Sequence, residues 1–95
     1  MLEREWQSQV LDLAKMGGWS YYHTYDSRKS NPGWPDLTLW HPRRRLVIFR
    51  ELKAETGKLR PGQKIVIDEL TEAGADVGVW RPSDLPDVQR LLVGG

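Results

Sequence analysis

The chain has 95 residues, 39% of them hydrophobic, which is enough for one small core and too little for two. It has no cysteine, so disulfides and thiolate metal sites are excluded as sources of stability and packing must supply it. The net charge of +1 hides a division: two basic and four acidic residues lie in 1–27, nine and three in 28–60, and three and six in 61–95, giving −2, +6 and −3. A basic centre between acidic flanks suits a face that meets a polyanion, or a surface whose charges fall unevenly.

Leu2, Trp6, Val10, Leu13 and Ala14 recur at helical spacing before Gly17-Gly18, which predicts a first helix with Glu3 and Gln7 beside its apolar stripe. Trp19 to Tyr25 is aromatic and suits a strand, and the polar Asp26 to Pro35, rich in Ser, Asn, Gly and Pro, reads as a loop. Asp36 to Trp40, a turn at His41–Arg44 and the run from Arg45 to Lys53 form a predicted β-hairpin. Pro61 opens and Gly74 closes an amphipathic helix carrying Gln63, Val66, Leu70 and Ala73. Asp76 to Arg81 is the next strand, and Ser83 is placed to N-cap a last helix that buries Leu85, Val88, Leu91 and Leu92. The expected order is αβββαβα over a single domain, residues 1–95, with a mixed sheet because one strand–helix–strand step makes a parallel pair beside the hairpin. The longest apolar runs, Leu46–Phe49 and Ile65–Ile67, are short, and the chain opens on Glu3 and Glu5. The expectation is therefore a cytoplasmic protein with no membrane segment.

Alternation in the second hairpin strand puts Val47, Phe49, Glu51 and Lys53 on one face and Leu46, Ile48, Arg50 and Leu52 on the other. Acid and base then project together where an apolar strand turns charged, at the sheet margin where α/β folds bind ligands. A hairpin turn near Pro42–Arg44 returns Glu51 to Asp36. Two carboxylates about 4 Å apart repel by about 4 kcal/mol at an effective dielectric near 20, and one lysine cannot both offset that and serve a substrate. A divalent cation can, and all-oxygen ligation by Asp, Glu and a backbone carbonyl suits Mg²⁺ or Mn²⁺. Such an ion lowers the pKa of a bound water while Lys53 orients that water or stabilises charge on a phosphate. An isolated Glu-x-Lys on a strand end is equally an exposed ion pair worth under about 1 kcal/mol.

Gly33-Trp34-Pro35-Asp36, then Glu51-Leu52-Lys53, then Gly57-Lys58-Leu59 with Gln63 at a helix start, resembles the VRR-NUC family of the PD-(D/E)XK nuclease superfamily. The resemblance extends over the opening helix with Glu3 and Gln7, Gly18-Trp19, His23, Asp26-Ser27-Arg28 and Val79-Trp80-Arg81-Pro82, and is nearest the small stand-alone forms of phages and bacteria. It implies a restriction-endonuclease-like α/β fold and Mg²⁺-dependent hydrolysis of DNA, with Mn²⁺ able to substitute. By the same resemblance, Asp36, Glu51 and the Leu52 carbonyl are metal ligands, Lys53 is the catalytic amine and Glu3 the helix glutamate of the metal site, with Glu5 its rival. Branched DNA, including four-way Holliday junctions, becomes the expected substrate, and cutting two arms favours a homodimer. The alternative is a nuclease-fold DNA-binding or assembly module that needs a partner for activity.

Gln63 suits either the scissile phosphate or its own helix start. Arg28 and Lys29 lead into Asp36, and Lys58 and Arg60 leave Lys53, so these four are the expected phosphate contacts. Arg43, Arg44 and Arg45 at the hairpin tip suit a duplex backbone or a solvated turn. His41 reads as a turn residue, and His23 as a half-buried, hydrogen-bonded side chain or a contact of the site. Trp6 and Trp80 belong to the core pattern, whereas Trp34 is placed near Asp36 to touch nucleic acid or a partner subunit. Arg50 breaks the apolar pattern of its face and must reach the sheet edge or pair with an acid.

Overall fold

A computed structural model describes residues 1–24 and 32–94. The elements are α1 (Glu3–Met16), β1 (Ser20–His23), β2 (Leu37–His41), β3 (Leu46–Leu52), α2 (Pro61–Glu72), β4 (Asp76–Trp80) and α3 (Leu85–Leu92), with short 3-10 turns at Pro42–Arg44 and Pro82–Asp84. The sheet order is β1-β2-β3-β4; β1 and β3 flank β2 antiparallel, and β4 runs parallel to β3. The expected αβββαβα order and mixed sheet are what these residues form.

One face of the sheet carries the core. Leu37 and Leu39 of β2, Ile48 and Leu52 of β3 and Trp80 of β4 close against Trp6, Val10 and Ala14 of α1 and Val88 and Leu92 of α3. Trp6 joins the layers through its indole N–H, which donates to the Trp80 carbonyl at 3.0 Å and satisfies a donor that burial would otherwise strand. Leu2, expected on the stripe, is exposed because it precedes the first turn, where its amide donates to Glu5 Oε1 at 2.8 Å. α2 packs against β4 from the other face with half-buried residues only. It covers that face thinly, and among the described residues none of the helices packs on it over β1 and β2.

The end of α1 is joined to the end of α3. A Cβ on Gly17 would overlap the Leu92 carbonyl oxygen, and the Trp19 indole N–H donates to that same oxygen at 3.0 Å. His41, expected as a mere turn residue, is buried here. Its Nδ1 accepts from the Arg44 amide (3.3 Å), so Nε2 carries the proton and donates to the Gly17 carbonyl (3.1 Å). Arg44 is likewise structural: it lies 5.2 Å from the Trp19 ring centroid and donates to the Leu91 carbonyl at 2.6 Å, favouring the negative end of α3. Arg43 and Arg45 remain exposed at the tip. Arg50 takes the acid-paired course, donating to Asp76 Oδ1 (2.8 Å) and to the Phe49 and Asp76 carbonyls (2.9 and 3.0 Å), with the Trp80 ring 4.9 Å away. Ser83 does not cap α3; its amide and hydroxyl both donate to Glu55 at 2.8 Å.

Candidate active site

Three elements bring the charged residues to one end of the sheet. Antiparallel register sets Leu37 against Arg50, so the preceding Asp36 meets Glu51: the Asp36 amide donates to Glu51 Oε1 (3.2 Å) and the Leu52 amide to Asp36 Oδ2 (2.8 Å). The Lys53 ammonium stands 3.6 Å from Glu51 Oε2. These groups share a cavity of about 580 Å³ with Glu3, Thr24, Trp34, Arg60 and Gln63. Asp36, Glu51 and Lys53 are thus together, as the hairpin spacing requires, and the Leu52 carbonyl lies between the last two along the chain.

Glu51 and Lys53 are both buried. Burial, then the charge of Asp36 and a side-chain hydrogen bond with it, push the Glu51 carboxyl up to about 8; the Lys53 charge opposes this and does not cancel it. An acid held so far above its ordinary range, against a second carboxylate in a cleft, marks a functional-site candidate.

Gln63 takes the helix-start role and adds a contact that sequence reasoning did not name. Its Oε1 accepts the Arg60 amide (2.8 Å), completing the first turn of α2, and its Nε2 donates to Glu51 Oε2 (2.9 Å). The Gly33-Trp34-Pro35-Asp36 segment is fitted to that same turn, because Gly33, at φ +91°, leaves no room for a Cβ against the Gly62 carbonyl. Trp34 lines the cavity and meets Phe49 edge-on, with ring centroids 5.9 Å apart.

Glu3 lines the cavity from α1, whereas Glu5 spends its carboxylate on the Leu2 amide. Arg60 is on the cavity wall, Lys58 is exposed outside it, and Arg28 and Lys29 lie outside the described residues. His23 pairs with Leu37, which puts it on the core side of the sheet, opposite the carboxylates. Thr24 was missed by sequence reasoning: its amide donates to the Asp36 carbonyl (2.9 Å) and its hydroxyl to the Pro35 carbonyl (3.2 Å). Extending the β1–β2 pairing by one residue would have found it.

The family model described as the VRR-NUC domain matches residues 3–84. A solved VRR_NUC domain superposes with a TM-score of 0.76 at 26% identity, covering 94% of this chain and 91% of that one. A solved VRR_NUC domain protein gives 0.71 at 19% identity, over 96% and 84%, and speaks for the fold alone. A Fanconi-associated nuclease 1 homolog from Schizosaccharomyces pombe is 38% identical over 60 residues, 63% of this chain and 8% of that much longer protein. The chain belongs to the VRR-NUC family.

Proposed function

We propose that this domain is a metal-dependent DNA endonuclease (an endodeoxyribonuclease) that hydrolyses phosphodiester bonds, selects branched DNA such as four-way junctions, and acts as a homodimer. The observation that carries the reading is the meeting of Asp36, Glu51 and Lys53 in one cleft, in a chain of the VRR-NUC family. Two carboxylates pressed together until Glu51 resists ionisation are the donor chemistry a hard divalent cation suits. Mg²⁺ keeps several waters and takes few carboxylates, so two carboxylates and a backbone carbonyl are a donor set that suits it. Asp36, Glu51 and the Leu52 carbonyl would hold Mg²⁺, with Mn²⁺ substituting. Such an ion, when bound, acidifies a water and neutralises phosphate charge.

The chain's own groups do the rest. Hydrolysis adds water across a P–O ester bond, and Lys53 is the amine that orients that water or meets the charge growing on phosphate. Gln63 fixes the rotamer of Glu51 and so the direction of its second oxygen. Glu3 faces the cleft from α1 as the helix carboxylate, and Lys58 and Arg60, with Arg28 and Lys29 from the preceding segment, contact phosphates on either side. The preference for branched DNA and the cytoplasmic setting belong to the same proposal and come from the family likeness. The homodimer is supported by the sheet face on which Tyr22 of β1 (59% exposed), Trp40 of β2 and Val47 of β3 (55% exposed) stand together, exposed among the described residues.

The test is cleavage of labelled duplex, single-stranded, flap and four-way DNA with and without Mg²⁺. Wild type is expected to cut the junction in Mg²⁺, while Asp36→Asn and Lys53→Ala fold and do not cut. Undiminished cutting by either variant refutes the assigned roles. DNA binding with a steep salt dependence and no cutting in Mg²⁺ or Mn²⁺ would favour the partner-dependent module instead. Sedimentation velocity with Val47→Glu reads the dimer.

A further inference from the structure

The parallel pairing of β3 with β4 ends at Leu52 and Trp80. Lys53 is therefore the first residue past the ladder, and its backbone needs another anchor. One is its own amide, which donates to the Trp80 carbonyl at 3.1 Å. The next four residues make a turn closed by the Gly57 amide on the Ala54 carbonyl (3.0 Å). Three carbonyls of that turn converge on one nitrogen: Arg81 Nη1 donates to Ala54 (2.8 Å), Glu55 (3.2 Å) and Gly57 (2.6 Å). The turn grips back, since the Glu55 carboxylate accepts both the amide and the hydroxyl of Ser83 at 2.8 Å. The segment after Lys53 is thus tied to residues 80–83 by contacts that involve neither the side chains of the hydrophobic core nor Asp36 and Glu51. Nη1 carries two N–H groups, so at least one of them is shared between two carbonyls, and the charge of the guanidinium strengthens each of these bonds.

We propose that Arg81 is a positioning residue for the nuclease reaction: by holding the carbonyls of residues 54, 55 and 57 it fixes the backbone behind Lys53 and so keeps the ammonium over Glu51. This rests on the reading of the site given above. Displacing a reacting group by about 1 Å costs up to about 100-fold in rate. The effect is expected in kcat, because Lys58 and Arg60 lie beyond the gripped turn.

Arg81→Ala, Arg81→Lys and Ser83→Ala test it with two readouts. In amide hydrogen exchange on the metal-free protein, Arg81→Ala is expected to lose protection at Lys53 and Gly57 while Leu39 and Ile48 keep theirs. In Mg²⁺-dependent cleavage, kcat is expected to fall about 10- to 100-fold with KM within about twofold. Added guanidinium should restore part of that rate to Arg81→Ala and none to Lys53→Ala. Arg81→Lys and Ser83→Ala keep the question answerable if Arg81→Ala fails to fold, and smaller losses in the same two readouts are expected of them. Wild-type kcat in these variants, a loss confined to KM, or unchanged exchange at Gly57 would overturn the positioning role. If wild type cuts no DNA while exchange at Lys53 and Gly57 still responds to Arg81, the nuclease reading is what fails, the positioning role falls with it, and the clamp remains a structural one.

Discussion

Gly33→Ala perturbs the site without touching a charged group. Gly33 has φ +91°, and an added Cβ would overlap the Gly62 carbonyl and stand 2.9 Å from the Gln63 amide nitrogen. The left-handed backbone alone costs a side chain about 1–2 kcal/mol. The overlap is with backbone and must be relieved by moving the first turn of α2, at about 1–3 kcal/mol more. The expected destabilisation is therefore about 2–5 kcal/mol. Because Gln63 leaves that turn to bond Glu51 and Gly33 sits three residues before Asp36, the same movement opens the site, and kcat should fall about 10- to 100-fold. Gly62→Ala is the control on the other side of the contact. Its Cβ would find only the Pro32 carbonyl oxygen, at 3.9 Å, so it should stabilise the helix start by up to about 1 kcal/mol and leave the rate alone. Urea unfolding and single-turnover cleavage in Mg²⁺ measure both. A Gly33→Ala protein as stable and active as wild type would refute the fit between the two segments; so would a Gly62→Ala protein that is equally damaged.

Other consequences follow from the same contacts. With its carboxyl pushed from 4.5 up to about 8, Glu51 favours the protonated folded state. Its contribution is complete below the unfolded pKa of 4.5 and is lost as pH rises to about 8, so metal-free protein should lose stability across that window by up to about 1.4 kcal/mol per pH unit. Urea midpoints in EDTA at several pH values should show this slope in wild type, and a flatter line, higher near pH 8, in Glu51→Gln; parallel lines would contradict it. Arg50→Met should cost under about 1 kcal/mol, because an apolar side chain of like volume replaces a buried charge and leaves Asp76 half-solvated, whereas Arg50→Ala should cost about 2–4 kcal/mol. Thermal melts distinguish them. Gly17→Ala, whose Cβ would overlap the Leu92 carbonyl, should separate α1 from α3 and lower the melting temperature by several degrees or more.

What could be read from the sequence and what could not divide along a physical line. Apolar spacing is local, and it sufficed for the order of elements and for the meeting of Asp36 with Glu51, since a hairpin's register follows from its turn. Gln63 was legible in part: the bond to its own helix start is local and was open to sequence reasoning, whereas its bond to Glu51 across the strand end was not. The residues misjudged are those whose partners are remote. His41 reaches back 24 positions to Gly17 and Arg44 forward 47 to Leu91, and Arg81, to which the sequence reading gave no role, reaches back 24 to Gly57. In each pair a side chain satisfies a backbone carbonyl at a helix end or a turn, and no periodicity announces which carbonyl tertiary packing will bring near. Ser83 shows the cost of assuming a local partner. Its hydroxyl has the chemistry of a helix cap, but Glu55, 28 residues away, takes both its donors. Arg50 is intermediate, because its clash with the apolar pattern left it the sheet edge or an acid, and only the parallel register of β4 against β3 identified Asp76. Contacts between separate segments thus frame the proposed reacting groups, Gln63 on Glu51 from one side and Arg81 on the turn after Lys53 from the other.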